Sequence, residues 1–219
     1  MSPSVETAPP RFPTGSAVAV LREETRGRHE GLHRHPLLAP LVDGDVEAEA
    51  YGRLLGCFLA FHRAAERLVL APADAAFQTF GLERAPRLAL IEADLASLAA
   101  AGVRVSPEPD GAEAWLPEAP GLAEAVGVLY VLEGSRLGGQ GLANTLSRSD
   151  DPRIAAATAF LGSRDRAVGP LWRAITAMIE TIGADPADRQ RVTAAAKATF
   201  DALRRWLDTA LVAKRSSQG

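Results

Sequence analysis

A run of glycines stands where the sequence otherwise favours a helix. The segment YVLEGSRLGGQG, residues 130–141, holds four glycines, and each costs about 1 kcal/mol relative to alanine in a helix interior. Three of them share a face about 60° wide with one glycine further upstream, because they recur at helical spacing. The members of this glycine stripe are Gly127, Gly134, Gly138 and Gly141. The stripe leaves bare backbone that a large, flat partner can approach closely.

Two interpretations of the glycine stripe are open on spacing alone. Gly134 and Gly138 form the pattern G-x-x-x-G, and small residues at that spacing let two helices pack closely. Glu133 and Arg136 beside them argue against a membrane-embedded version of such a pair. The other interpretation is a planar ligand against the helix, where glycine permits close approach and local bending. The periodicity does not choose between a helical interaction module and a ligand site.

Histidines on the faces of predicted helices are the candidate metal ligands. One stripe of the first helix has the spacing of the glycine stripe and consists of Val18, Leu21, Thr25, His29 and Leu32. This spacing points His29 inward, while His33 lies towards the edge and His35 abuts the end of the helix. Arg22 and Arg26 flank the stripe one turn apart. An inward imidazole with guanidiniums at its rim suits a metal macrocycle that bears carboxylates.

A structural role for these side chains is equally consistent with the pattern. A single histidine on an apolar helix face is more often a hydrogen-bonded core residue than a ligand. His62 competes with His29, because it also falls on the apolar face of its helix, eleven residues after Tyr51. Cys57, on the opposite side of that helix, is expected to be an inert thiol. Periodicity leaves the choice between the two histidines open.

The hydrophobic periodicity predicts a chain of helices and no strand. We expect Thr14 or Ser16 to cap the first helix, Pro86 to lie near the start of the third and Gly102 to end it. The predicted helices cover residues 16–34, 45–70, 85–102, 120–146, 153–161, 165–182 and 186–212. A long loop, residues 103–119, holds three prolines between the third and fourth helices.

Composition indicates one all-α domain. The chain has 219 residues, 47% of them hydrophobic and 5% aromatic, and its formal net charge of −3 gives no electrostatic footprint for nucleic acid. We expect a disordered lead-in over residues 1–15, a helical domain over 16–213 and a frayed tail over 214–219. A single cysteine and the absence of a signal-peptide pattern favour a cytoplasmic location.

Four segments resemble the heme oxygenase family. LREETRGRH, residues 21–29, looks like the family's proximal-helix signature, and EGSRLGGQ, residues 133–140, looks like its distal-helix motif. PLWRAI, residues 170–175, and RVTAAAKATFDALRRWL, residues 191–207, resemble its two C-terminal helices. The form with EGS in the distal helix is most similar to bacterial heme oxygenases associated with bacteriophytochromes. The resemblance spans roughly residues 16–210 in the same order.

The resemblance implies a helical bundle that holds heme between a proximal and a distal helix. It implies cleavage of heme by O2 to biliverdin, CO and free iron, with His29 as the proximal iron ligand. Gly134 and Gly138 match the glycines that contact the distal face of heme in the family. Arg22, Arg26 and Arg173 match basic positions that face the propionates.

One position departs from the family pattern. Many members carry an aspartate just after the first distal glycine, where it orders waters near the bound O2, and here that residue is Ser135. A hydroxyl donates and accepts but carries no charge. A non-catalytic heme-binding or carrier protein of the same fold is therefore the alternative function. The chain has no flavin or nicotinamide motif, so the resemblance implies a ferredoxin or reductase as electron donor and a bacteriophytochrome as a candidate recipient of biliverdin.

Overall fold

The computed structural model describes residues 13, 15–83, 87–105, 109–162 and 168–216, and the described residues form helices and connecting segments without any strand. The ten α-helices are α1 (Ala17–His33), α2 (Ala39–Asp43), α3 (Ala48–Ala65), α4 (Asp74–Thr79), α5 (Arg87–Ala100), α6 (Leu122–Leu146), α7 (Pro152–Ala156), α8 (Ala159–Gly162), α9 (Val168–Ile182) and α10 (Pro186–Ser216). A π-helical turn, Glu66–Leu70, and a 3-10 turn, Ala71–Ala73, join α3 to α4, and Ala112–Trp115 form a second 3-10 turn. The prediction of a single all-α domain is confirmed.

Most predicted helices are found, with local differences. The predicted helix over residues 153–161 is instead two short helices, α7 and α8, because Ala157 leaves helical geometry at φ −108° and ψ 61°. The short helices α2 and α4 were not predicted, since neither is long enough to show a period. Gly102 ends α5 with φ +82°, which confirms it as the helix stop. The described part of the expected tail, 214–216, continues α10.

Some expectations concern residues that the structure does not describe. Residues 1–12 and 14, which make up most of the expected lead-in, are among them, and so is the alternative N-cap Thr14. The expected position of Pro86 near the start of α5 and the last three residues of the tail also lie outside the described residues.

Helix α10 supports both helices that carry the predicted site. Three polar pairs join α1, and the segment just after it, to α10: Glu24 with Lys197, Arg28 with Asp201 and His35 with Asp208. Each pair is separated by 173 residues, so the two helices run parallel and in constant register. Helix α6 makes the most extensive helix pairing of the fold, also with α10.

The N-terminus of α1 is held by two side chains. Ser16 accepts a hydrogen bond from the Ala19 amide at 3.2 Å, which confirms it as the N-cap. Glu180 of α9 accepts from the amides of Ala17 and Val18, each at 3.0 Å. A carboxylate at a helix N-terminus satisfies unpaired amides and complements the helix dipole. These bonds fix the start of α1 against the C-terminal half of the chain.

A second carboxylate holds α8 in place. Asp94 of α5 accepts from the amides of Ala159 and Phe160, each at 2.8 Å. Burial raises the pKa of Asp94, although these two bonds act in the opposite direction. The Tyr51 hydroxyl donates to the Ala157 carbonyl at 2.7 Å and secures the turn just before α8.

Within the described residues, no helix is long and apolar enough to cross a bilayer.

Candidate functional site

His29 is the one exposed residue in an otherwise buried stripe of α1. The other four members of the predicted stripe are buried: Val18, Leu21, Thr25 and Leu32. His29 instead lies at the surface, with its ring edge-on to Phe200 of α10 at 6.2 Å between centroids. A ligand can therefore reach the imidazole of His29, although the rest of this face of α1 is covered.

The environment of His29 favours its neutral form. Partial burial of the ring lowers its pKa, and the neighbouring His33 and the positive charge of Arg22 lower it further. The negative charge of Glu30 acts in the opposite direction. A neutral imidazole offers the lone pair that a metal ligand requires.

Helices α1 and α6 meet one turn before the predicted ligand positions. Thr25 of α1 lies close enough to Tyr130 of α6 to lower the pKa of the phenol, although burial, the larger effect, raises it. Helix α6 runs in the same direction as α10, since Glu124 faces Arg191 and Gly127 faces Ala195 further along. Helix α1 also runs parallel to α10, so α1 and α6 have the same direction.

One turn beyond the Thr25–Tyr130 contact lie His29 on α1 and Gly134 on α6. Because the helices have the same sense, these two residues extend from the contact towards the same end of the bundle. The fold thus brings the proximal and distal motifs to one region.

The glycine stripe of α6 divides into residues that pack and residues that do not. A Cβ at Gly127 would lie 2.4 Å from the Val192 carbonyl oxygen, so this glycine permits close approach of α10. A Cβ at Gly134 would lie 3.3 Å from the ring of Trp172. Gly138 and Gly141 face open space, since a Cβ added at either would meet nothing within 4 Å. Helix packing therefore explains the first member of the stripe and leaves the last two unexplained.

Ser135 is engaged by protein groups on two sides. Its hydroxyl donates to the Leu132 carbonyl at 2.6 Å and accepts from Nη2 of Arg87 at 3.3 Å. The first bond joins it to the preceding turn of α6, and the second joins α6 to α5. Ser135 is thereby fixed in one orientation by a cationic partner.

A buried charged cluster surrounds this bond behind α6. The guanidinium of Arg87 lies over the ring of Phe160 at 4.5 Å, while Arg136 donates from Nη1 to Glu133 at 3.1 Å. Both arginines and the glutamate are buried, so two guanidiniums face one carboxylate. Among the described residues, Nε and Nη1 of Arg87 and Nε of Arg136 have no hydrogen-bond partner. Burial lowers the pKa of Arg87 to about 10, which leaves it charged at neutral pH.

His62 belongs to the wall of this cluster rather than to the surface. It is buried in α3 with its ring edge-on to Phe160, at 5.5 Å between centroids. Burial lowers its pKa well below the usual value, and the charge of Arg87 contributes in the same direction. The two competing histidines therefore differ in access, since His29 is exposed and His62 is enclosed. Cys57 is buried, and burial raises its thiol pKa to about 11, as an inert thiol requires.

The three predicted anion-binding arginines lie on two helices. Arg22 is half-buried on α1, near enough to His29 and Tyr130 for its charge to lower the pKa of both. Arg26 is exposed and pairs with Glu23 on the same helix. Arg173 is exposed on α9, and its guanidinium lies beside the backbone of Gly169.

Sequence reasoning does not identify Arg87 or Trp172, and it places His33 only towards the edge of its helix. Arg87 gives no signal in a sequence, because only the fold carries α5 to the back of α6 and brings the guanidinium to Ser135. Trp172, buried between Tyr130 and Gly134, sits inside the PLWRAI segment, where its bulk is a usable signal for a neighbour of the distal helix. The segment HEGLH, residues 29–33, pairs His33 with His29 at a recognisable metal-ligand spacing, which the sequence analysis overlooks.

Comparison with known proteins identifies the family and the fold. The model of the heme oxygenase family matches residues 16–209, which include α1, α6, α9 and most of α10. A heme oxygenase from Leptospira interrogans has a similar structure, with a TM-score of 0.65 and 16% sequence identity over 87% of this chain and 98% of that one. No match is found among curated proteins. Since the family match covers nearly all of the helical domain, the chain belongs to the heme oxygenase family.

Proposed function

We propose that this protein cleaves heme with O2 and external electrons to biliverdin, CO and free iron, with His29 as the proximal iron ligand. The observation that carries the proposal is the exposed imidazole of His29 on the otherwise buried stripe of α1. The family match supports heme as the substrate.

The described residues fit a heme between α1 and α6. His29 offers a neutral imidazole, and Gly138 and Gly141 offer backbone that no side chain covers. Arg22, Arg26 and Arg173 are the candidates to bind the propionates through charge-assisted hydrogen bonds. Heme, when bound, supplies both the macrocycle to be oxidised and the iron at which O2 is reduced.

The chain's own residues then define the distal side. The bare backbone at Gly138 admits a flat group where any larger side chain would stand in its way. Arg87 places a buried positive charge directly behind Ser135 and holds its hydroxyl oxygen. The Ser135 hydrogen is directed to the Leu132 carbonyl, so in this orientation the hydroxyl offers a ligand only its oxygen, as an acceptor.

The electron donor and the recipient of the product are further parts of the proposal. The sequence has no flavin or nicotinamide motif, which favours a separate ferredoxin or reductase. The resemblance of the EGS motif to bacteriophytochrome-associated enzymes supports a bacteriophytochrome as recipient. A cytoplasmic location is consistent with both partners.

Titration with hemin, followed by ascorbate in air, tests the activity. We expect a sharpened Soret band at a 1:1 ratio and then the broad red absorbance of biliverdin. His29→Ala should lose the ligated spectrum, and added imidazole should partly restore it. His62 is buried away from the surface, so His62→Ala should leave the spectrum nearly unchanged. The reverse result would transfer the ligand role to His62 and refute the assignment.

The arginines make a second test. Replacing Arg22, Arg26 and Arg173 with alanine should weaken hemin binding or mix the biliverdin isomers, since each charge-assisted bond contributes about 1–3 kcal/mol when partly shielded. A matched variant removes three exposed arginines elsewhere: Arg67, Arg104 and Arg148. It makes the same change in net charge and should keep both affinity and product. Equal behaviour of the two variants would place the first set on an ordinary solvated face.

A non-catalytic heme-binding protein of the same fold is the second candidate. It is favoured by Ser135, which lacks a negative charge and whose hydrogen is already bonded to the Leu132 carbonyl. In that case hemin binds through His29, but ascorbate in air leaves the macrocycle uncleaved and no biliverdin band appears. The same titration therefore separates the two functions.

A further inference from the structure

The C-terminal end of α1 carries a second histidine beside His29. The sequence HEGLH spans His29–His33, and residues four apart lie on the same face of a helix. Nε2 of His29 and Nε2 of His33 are 3.3 Å apart, and their rings meet edge-on at 4.6 Å between centroids. Both residues are exposed, so the two nitrogens converge at the surface of the protein.

The separation of the two nitrogens suits one metal ion. Imidazole nitrogens bind Zn²⁺ at about 2.0–2.1 Å in tetrahedral geometry, which places two such nitrogens roughly 3.3–3.4 Å apart. The two nitrogens are within hydrogen-bond distance of each other at 3.3 Å, and the same separation agrees with that spacing once both rings carry their hydrogen on Nδ1. The spacing H-E-x-x-H on a helix is also the pattern in which two histidines bind zinc from one face.

We propose that the heme-free protein binds one divalent transition-metal ion between Nε2 of His29 and Nε2 of His33, with water completing the coordination. The carboxylate of Glu30, adjacent in sequence, adds favourable negative charge, while Arg22 opposes the ion. Among the described residues, no group of three or more metal-ligating side chains is present. The site is therefore an open two-ligand chelate that binds more weakly than a closed structural metal site.

The chelated metal ion and heme compete for His29, a consequence that rests on the proposed function. His29 cannot give its Nε2 to the chelated ion and to heme iron at the same time. His33 is needed only for the chelate, so it separates the two kinds of binding. A divalent ion on α1 thus occupies the proximal ligand until heme displaces it.

Titration of untagged, heme-free protein with ZnCl2 tests the site by calorimetry. We expect the wild type to bind one Zn²⁺ per chain. In His33→Ala the Kd for Zn²⁺ should rise more than about tenfold, because losing a direct ligand should cost at least as much as losing a group that only supports a ligand. His29→Ala should lose the same binding. The control is Arg34→Ala, the exposed residue next to His33, which should bind Zn²⁺ as the wild type does. Wild-type affinity in His33→Ala, or no binding to the wild type, would overturn the proposal.

Hemin titration with and without Zn²⁺ tests the exclusion. Saturating Zn²⁺ should raise the apparent Kd for hemin in the wild type and leave His33→Ala unaffected. Equal hemin affinity with and without Zn²⁺ in the wild type would refute the exclusion. If hemin fails to bind the wild type at all, the proposed function fails, while the calorimetric result still decides the metal site.

Discussion

The two ends of the glycine stripe on α6 have different surroundings. In the N-terminal half nearly every residue from Ala123 to Glu133 is buried, and Gly127 lies against the backbone of α10. In the C-terminal half one side is exposed, and Gly138 meets nothing. Both glycines belong to one stripe, eleven residues apart. Spacing places them on one face, but the neighbouring helix covers that face at only one end.

This difference distinguishes helix packing from ligand binding as explanations of the glycine stripe, which the sequence alone does not do. A glycine that permits close packing of helices contributes to the stability of the apoprotein. A glycine on an uncovered face lowers that stability, because alanine is the better helix former. We propose that a ligand accounts for a glycine on the uncovered face, and the proposed contact of Gly138 with heme rests on this argument.

The largest effect is expected at Gly127. In Gly127→Ala the new Cβ would lie 2.4 Å from the Val192 carbonyl oxygen and 2.9 Å from the Ala196 amide nitrogen, so α6 and α10 must separate. Such overpacking costs about 1–3 kcal/mol, more than the gain in helix propensity. We expect a fall of several degrees in the melting temperature of the apoprotein, measured by circular dichroism.

Gly138→Ala is the matched control on the same stripe. It places the same methyl group in open space, so the gain in helix propensity should stabilise the apoprotein by up to about 1 kcal/mol and raise its melting temperature slightly. A loss of stability in Gly138→Ala equal to that in Gly127→Ala would remove the distinction between the two halves.

A larger side chain at Gly138 tests the ligand. Gly138→Leu should leave the apoprotein folded with a steady melting temperature, because leucine is a good helix former and nothing is near. It should abolish or strongly weaken hemin binding by filling the bare face. Gln140→Leu adds a similar side chain at an exposed position about 200° around the same helix and should bind hemin normally. Retained hemin affinity with a sharp fall in melting temperature in Gly138→Leu would show a packing role instead.

The sequence predicts the fold well because long helices carry their own signals. The bounds of α1, α5, α6 and α10 follow from periodicity and from caps such as Ser16 and Gly102. The short helices α2 and α4 and the break at Ala157 depend on the packing of the surrounding chain, so no local pattern predicts them. The family is predicted correctly from two motifs that occur in the expected order.

The site is only partly contained in the sequence. Spacing places His29 on an inward stripe, yet it cannot tell that the stripe is uncovered at that one residue. It also cannot distinguish Gly127 from Gly138, since coverage depends on where α10 crosses α6. The bond from Arg87 to Ser135 joins residues 48 positions apart and exists only in the folded chain. The metal, propionate and distal roles stay predictions.

The smallest effect is expected at Gly134, between the two extremes. Its added Cβ would lie 3.3 and 3.4 Å from two ring carbons of Trp172, so a shift of a few tenths of an ångström in the indole relieves the contact. The gain in helix propensity and the cost of moving the ring should nearly cancel, leaving Gly134→Ala within about 1 kcal/mol of the wild type.

A double-mutant cycle with Trp172→Phe resolves this cancellation, because phenylalanine is smaller than the indole and leaves room for the new methyl group. In that background Gly134→Ala should be stabilising, with a coupling of about 0.5–1 kcal/mol between the two sites. Additive effects would mean that the indole does not restrict Gly134. The residue would then belong with Gly138 on the uncovered half of α6, and the boundary between packing and ligand face would move one turn towards the N-terminus.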